Sequence, residues 1–507
     1  MPVHHVAIPE MAPQPPLLLA IDQGTTSTRA ILFDADARPV GSHAVELRQI
    51  YPANGWVEHD AQEIWRATLA CCRAVAKDAK SIAAIGITNQ RETAVVWDRA
   101  SGVPIHNAIV WQDRRTAERC RALKAKGLDA KIAATTGLLL DSYFSATKVE
   151  WILDHVPGAR GRAERGELCF GTIDSWLIHK LTNRGVHATD VTNASRTMLL
   201  NLKTLAWDDE MLALFGVPAA MLPQVRDSAG DFGMAAAEHL GAAIPILGVA
   251  GDQQAAMVGQ ACFKPGEVKS TYGTGCFALV NTGATVPTSQ NRLLATSAYR
   301  VGKNTAYAVE GSIFIAGAVV QWLRDALCVI RSAQEIEVLA RTAKSAEGLY
   351  FVPAFTGLGA PYWDPDARGA ILGLTRDMGV AEIARAALDS VCYQTRDLLE
   401  AMGRDMADAG LGAPAALKVD GGMVKNDWFC QRLADLTGLT VDRPVVTETT
   451  ALGAAYLAGL AAGLFKDVDD IRARWALDRR FLPAMNSTSR DVLYDGWRSA
   501  VERVHRV

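Results

Sequence analysis

A chain of 507 residues, 49% apolar and 21% charged, exceeds what one hydrophobic core holds and predicts two or three soluble domains. Its net charge of −3 lacks the basic footprint of a nucleic-acid binder or of a protein drawn to an anionic membrane, and no apolar run reaches the ~18 residues a membrane helix needs. Nine Cys with no CxxC pair, two of them adjacent at Cys71 and Cys72, read as buried thiols and not as a disulfide framework, which predicts a cytoplasmic location.

Residues 1–16 contain a Pro-rich segment without the cationic and apolar regions of a signal peptide, so they read as a disordered extension. The stretch PLLLAIDQGTTSTRAILF that follows reads as a hairpin: apolar Leu17 to Ile21, a turn, then apolar Ala30 to Phe33. Gly24 permits a tight turn, and Thr25, Thr26 and Ser27 bring hydroxyls and backbone N–H groups to one small volume, a nest suited to a phosphate. Asp22 beside it would repel a phosphate unless a cation such as Mg²⁺ lay between them. An ordinary Thr-rich hairpin turn fits these residues equally well.

Val40 to Ile50 is expected to add a third strand, and Asp60 with Glu63 forms a capping-box pattern opening a helix with Trp65, Leu69, Cys72 and Ala76 on one face. From Ile82 to Asp98 two apolar strands flank the polar run Thr88 to Thr93, either a solvent loop or a site; Arg91 followed by Glu92 favours a site. Residues 107–119 predict a strand entering a charged helix, Tyr143 to His155 a helix, Gly166 to Thr182 strand then helix, and 244–260 an apolar strand, an Asp and a helix. A first domain is placed at 17–260 and a second at 261–507.

The second half opens as the first does. Gly266 to Gly283 is strand, Gly/Thr turn, strand, an architectural echo without sequence identity. A helix is expected over 311–327, an organised loop over Phe351 to Gly369, and a long helix from Val380 with Ile383, Ala387, Val391, Leu398 and Met402 along one stripe. Leu417 to Asp427 reads as strand, Asp, glycines and helix. A close-packed small-residue helix starts at Thr449, and an Arg- and Asp-rich surface tail follows.

Three strands thus end in Asp: Asp22, Asp252 and Asp420. Ligands of open α/β sheets collect beyond the carboxyl ends of strands, so these carboxylates are placed to face one cleft, although a strand-terminal Asp also commonly caps the next helix. Thr274 between Gly273 and Gly275 forms a second nest for a phosphate or, equally well, an ordinary tight hairpin turn. Gly317 with Gln321, and Gly422 with Asn426, are spaced to share a helical face where a flat ring can rest on backbone while an amide meets its edge; close helix packing is the alternative use of such glycines. Arg91, Glu92, Asp252 and Gln253 offer a small polyol both donors and acceptors, or a surface salt bridge. The P-loop and GxGxxG nucleotide motifs are absent, as are HExxH and GxSxG.

The segments DQGTTSTR, GITNQRET, VWQDRRTAE, GTIDSWL, TNASRTML, GDQQAA, TYGTGCF, VPAFTGLGAPYWDP and VDGG, in that order from about Leu17 past Gly459, resemble those of the glycerol kinase family. YFSATKVEWILDH and GAILGLTRDMGVAEIARAALD resemble two diagnostic stretches of the wider carbohydrate kinases. The resemblance implies an α/β chain of two actin-like, ribonuclease-H-like ATPase domains around a central cleft, transferring phosphate from Mg-ATP to glycerol. By the same resemblance Thr25, Thr26, Ser27, Arg29 and Thr274 meet the phosphates of ATP or ADP, and Gly317, Gln321, Gly422 and Asn426 hold the adenosine. Arg91, Glu92, Tyr143, Asp252 and Gln253 bind glycerol against a wall of Trp111 and Phe277. Asp252 is the implied catalytic base, and Asp22 and Asp252 the implied Mg²⁺ carboxylates; no nucleic acid or membrane partner is implied, and a homodimer or homotetramer follows by analogy.

Two other readings stand beside this one: a kinase for a larger polyol or ketose such as xylulose, against which the Arg91–Glu92 pair argues, and an actin-like nucleotide switch, expected to continue into a peptide-binding region if it were a chaperone. One departure from the family pattern is visible. The Gly-Thr-Arg segment that binds fructose 1,6-bisphosphate in regulated members reads Gly241-Ala242-Ala243 here, which predicts weak or no inhibition by that sugar.

Overall fold

The computed structural model describes residues 16–344 and 347–505, so the predicted extension, all but its last residue, lies outside the described residues. In the first half the elements that matter are β1 (Leu17–Gln23), β2 (Ser27–Phe33), β3 (Pro39–Glu46), α1 (Ala61–Val75), β4 (Ile82–Asn89), α2 (Ser145–His155), α3 (Ile173–Leu181), β5 (Met234–Ala235), β6 (Ile244–Gly251) and α4 (Asp252–Gly259). The expected opening hairpin is present: Gly24 N donates to Ser27 O at 2.9 Å, and the register pairs Asp22 with Arg29. Asp60 caps α1 by accepting from Gln62 N at 2.8 Å. Glu63 does not complete a capping box; its carboxylate instead accepts from Arg48 N at 3.2 Å and ties the helix to the chain leaving β3. The strand expected within 107–119 shrinks to Ala108–Ile109, and the charged helix begins only at Ala117.

The second half contributes β7 (Val268–Tyr272), β8 (Cys276–Gly283), β9 (Leu294–Val301), β10 (Asn304–Ile313), α5 (Gly317–Asp325), α6 (Val380–Asp408), β11 (Ala416–Asp420), α7 (Asp427–Thr437), β12 (Thr440–Pro444), α8 (Thr449–Ala461), β13 (Leu477–Phe481) and α9 (Ser487–His505). The helix expected over 311–327 starts at Gly317, because Gly311 to Ile313 are taken into the sheet opposite Ala278 to Cys276.

Each half builds its own sheet on one plan. The first runs β5-β6-β4-β1-β2-β3, with β1, β4 and β6 parallel and β1, β2 and β3 antiparallel. The second runs β9-β10-β8-β7-β11-β12-β13, with β7, β11 and β12 parallel and β7, β8 and β10 antiparallel. The architectural echo between TTST and TYGTG is therefore a repeated topology, that of two actin-like halves.

Two helices of small residues join the halves. A Cβ on Gly453 of α8 would lie 1.8 Å from Ala255 O of α4, and one on Gly259 would lie 2.0 Å from Thr449 O. The same helix rests on the first sheet, where a Cβ on Gly86 would meet Ala454 O at 2.2 Å. Only glycine permits this backbone-on-backbone approach, which explains the run ALGAAYLAGLAAGL.

The C-terminal segment is not the surface tail that its Arg and Asp content predicts. Strand β13 extends the second sheet, and Trp497 of α9 is fully buried, donating to Asp397 Oδ2 at 2.9 Å while Tyr494 donates to Oδ1 at 2.7 Å. Tyr393 stacks on Trp497 with centroids 5.4 Å apart. Trp497→Ala is expected to destabilise the second half by about 3–5 kcal/mol, read as a lower urea midpoint at unchanged slope. A midpoint equal to wild type would show that α9 is dispensable to the core.

Candidate active site

Strands β1, β4 and β6 end side by side, with Asp22 opposite Thr88 and Gly251 opposite Asn89. Asp252, the first residue of α4, therefore stands close to Asp22. Burial pushes the Asp22 carboxyl up to about 7; Arg29 pulls it back, and Asp252 and Glu448 push it up further. The third strand-terminal carboxylate does not join them openly: Asp420 is buried and accepts from Gln260 Nε2 at 2.7 Å, because α4 ends directly above it.

The polar run between β4 and the following strand turns into the interior. Glu92 sits in the left-handed region at φ +60°, a costly conformation for a bulky residue that the surroundings must enforce. Arg196 Nε donates to its Oε1 at 2.7 Å and Ser145 Oγ to its carbonyl at 3.0 Å. Arg91 stays within reach of the same carboxylate, its Nε 3.8 Å from Glu92 Oε1. Its Nε lies 3.1 Å from Asp252 Oδ1, and its guanidinium reaches across to the second half, where Glu310 of β10 takes both Nη atoms, Nη2 at 3.0 Å. Arg196 Nη2 also meets Glu310, at 3.0 Å.

Two guanidiniums and three carboxylates are thus interlocked where the halves meet. Burial alone would raise the Glu310 carboxyl; Arg196 and Arg91 together override it and hold it below the usual range. Only Asp252 keeps an exposed side chain, at 30%.

Aromatic rings roof this network. Trp111 lies edge-on to Tyr143 at 5.6 Å and to Phe277 at 6.3 Å, so the wall is built from both halves. Gln253, next to Asp252, has its side chain bound by Lys269. Arg91, Glu92, Tyr143, Trp111, Asp252, Gln253 and Phe277 are thus gathered where the halves meet, with the Arg91 guanidinium 5.8 Å from the centre of the Phe277 ring.

The first hairpin turn adjoins this group, since Trp111 Nε1 donates to Thr25 Oγ1 at 2.8 Å. Thr26 is exposed and Ser27 half-buried. Arg29 is engaged by Glu448 across the halves, so an incoming phosphate competes with a carboxylate for it. In the second half Thr274 O accepts from Ala316 N at 2.9 Å and Ala318 N at 3.0 Å, seating the β7–β8 turn on the start of α5. A Cβ on Gly317 would come within 2.5 Å of Gly273 O and 3.6 Å of Met423 Cγ, so Thr274, Gly317 and the segment around Gly422 converge. Gln321 lies exposed one turn along α5. Gly422 and Asn426 do not share a helical face: 422–425 is a single 3₁₀ turn, and Asn426 caps α7 by accepting from Phe429 N at 2.9 Å.

Residue-by-residue reading missed Glu310, Arg196 and Lys269, each fully buried. Each is a single charge inside an otherwise apolar or hydroxyl-rich stretch, and that anomaly was the available signal. Their partners come from other elements and carry no fixed spacing.

Residues 17–259 match the N-terminal domain of the FGGY family of carbohydrate kinases and residues 268–462 its C-terminal domain. A glycerol kinase of Ectopseudomonas mendocina is 61% identical over 96% of this chain and 98% of its own, and one of Alcanivorax borkumensis is 60% identical over the same shares. Among solved structures, Plasmodium falciparum glycerol kinase with ADP superimposes with a TM-score of 0.89 at 37% identity, over 96% of this chain and 98% of that one. Xylulose kinase from Lactobacillus acidophilus, at 23% identity and a TM-score of 0.85, shares the fold. The chain belongs to the FGGY family of carbohydrate kinases.

Proposed function

We propose that this chain is an ATP:glycerol 3-phosphotransferase, moving the γ-phosphoryl group of Mg-ATP to a primary hydroxyl of glycerol to give sn-glycerol 3-phosphate, the entry step of glycerol catabolism. The observation that carries the reading is the partly exposed Asp252 carboxylate, held 3.1 Å from the Nε of Arg91, whose guanidinium in turn lies 5.8 Å from the Phe277 ring of the Trp111–Tyr143–Phe277 group. Relatives at about 60% identity that are named glycerol kinase support the acceptor, and the solved relative with ADP supports the nucleotide.

In this reading Arg91, Glu92 and Gln253 hold glycerol's hydroxyls, and the rings cover its carbons. A cavity whose buried polar groups demand partners rejects an alcohol that leaves one unpaired. Asp252 accepts the proton of the attacking hydroxyl; in a loose phosphoryl-transfer transition state that proton leaves late, so alignment of the oxygen weighs as much as basicity. Thr25, Thr26, Ser27 and Thr274 turn hydroxyls and backbone N–H groups toward the phosphates, where negative charge spreads during transfer. Gly317, Gln321, Gly422 and Asn426 serve the adenosine.

Asp22 and Asp252 are two neighbouring carboxylates beside a phosphate nest, and no group of three ligating side chains stands among the described residues. Such a pair suits Mg²⁺ held largely by phosphate oxygens and water, which would neutralise charge on the transferred group. The nine thiols, all free and eight of them buried, support a reducing cytoplasm. Self-association as a homodimer or homotetramer rests on family analogy alone.

The test is a product assay with protein, Mg-ATP and glycerol. Stoichiometric glycerol 3-phosphate and ADP support the reading; ADP without acceptor phosphate indicates a nucleotide switch, and turnover only with xylulose a ketose kinase. Because the exposed turn Gly241-Ala242-Ala243 carries no cation, fructose 1,6-bisphosphate is expected to leave the rate unchanged at physiological concentration. Strong inhibition would place a bisphosphate site elsewhere.

A further inference from the structure

We infer that Lys269 is a positioning residue that locks the Gln253 amide with its nitrogen toward the substrate, making Gln253 a hydrogen-bond donor to one hydroxyl of the polyol. This rests on the glycerol kinase reading above.

Lys269 is the second residue of β7 and is fully buried. An ammonium has three donors and no acceptor. Here all three are used within the protein: Gln253 Oε1, Thr271 Oγ1 at 2.9 Å and Phe277 O at 3.4 Å. None is left for a ligand, which sets Lys269 apart from a substrate-binding cation. Because an ammonium cannot accept, the amide atom facing it must be the oxygen, and the two N–H donors of Gln253 Nε2 must point elsewhere. Nε2 has no partner among the described residues and is not sealed from solvent, and the carboxylate of its neighbour Asp252 is 30% exposed.

The contact also spans the halves. Gln253 belongs to α4 of the first half, whereas Lys269 and Phe277 belong to the hairpin that carries Thr274. One buried cation thereby sets the amide's polarity, the place of the Phe277 wall and the base of the second phosphate nest.

The test compares wild type, Gln253→Glu and Lys269→Met on glycerol, 1,2-propanediol and 1,3-propanediol, each diol lacking one glycerol hydroxyl. Gln253→Glu keeps an oxygen for Lys269 but offers the substrate no donor. It is expected to lower kcat/KM for glycerol by about tenfold or more, mainly through KM, and to change kcat/KM for one of the two diols by less than about threefold. Lys269→Met frees the amide to flip, and the preference for glycerol over that same diol is expected to shrink toward unity. If Gln253→Glu retains glycerol kcat/KM within about threefold, the substrate takes no hydrogen bond from the Gln253 amide and the inference falls. If Lys269→Met lowers all three substrates by one factor, its role is structural only and the inference falls. Should Lys269→Met not fold, Lys269→Gln, whose amide can both donate and accept and so no longer fixes which way Gln253 faces, takes its place with the same two outcomes. Absence of glycerol phosphorylation by wild type is a separate outcome, which removes the proposed function itself.

Discussion

Asp252→Asn is expected to cut kcat for glycerol phosphorylation by at least ~100-fold, with a thermal midpoint close to wild type. The substitution keeps the size of the side chain and an oxygen for Arg91 Nε, which now lies 3.1 Å from the carboxylate. Arg91 also remains paired with Glu310, so no guanidinium is stranded. What is lost is the partly exposed carboxylate proposed to take the hydroxyl proton, together with its negative charge. A steady-state comparison with circular dichroism and melting curves reads this directly. Near-normal turnover would remove Asp252 from the role of base, whatever the fate of the rest of the site.

Glu310→Leu is expected to be the most destabilising change at the junction of the halves. Glu310 is the shared partner of Arg91 and Arg196, and all three are buried. Deleting it leaves Glu92 and the half-exposed Asp252 to balance both cations, and each guanidinium loses donors' partners that water cannot replace. Arg196 already carries one buried unpaired nitrogen, Nη1. Breaking a buried ion pair from one side costs about 3–5 kcal/mol, which for a half of this size lowers the melting temperature by on the order of 10 °C. Glycerol kcat/KM is expected to fall as well, since Arg91 loses the anchor that aims its Nε at Asp252. Glu310→Gln, retaining an acceptor but no charge, is expected to lie between Leu and wild type. A melting temperature within about 2 °C of wild type for Glu310→Leu would mean that the junction is held by the α4–α8 crossing and not by charge.

The local elements were legible because their signals are local. An apolar run ending in Asp22 before a Gly/Thr turn announced the first hairpin, the Gly/Thr turn between two runs in Gly266 to Gly283 announced the second, and the small-residue run after Thr449 announced a helix meant for close contact. Elements whose identity depends on a distant partner were not. Gly311 to Ile313 continue a strand because Cys276 to Ala278 lie opposite them, and α9 is core because Asp397, a hundred residues before Trp497 in the chain, accepts from its indole. Arg and Asp content predicted solvent there, and paired burial overrode it.

For the site the division follows the same line. Residue types at fixed short spacing, such as Asp22 before Thr25 to Ser27, Arg91 beside Glu92, and Asp252 beside Gln253, are set by the order of amino acids alone, and with them the family resemblance and the chemistry it implies. Which of these side chains remain available was a tertiary decision. Asp420 was drawn into a bond with Gln260, Arg29 into a pair with Glu448, and Arg91 into the hold of Glu310. A buried charge must find its counter-charge wherever the packed chain brings one within reach, and that distance has no counterpart in sequence spacing.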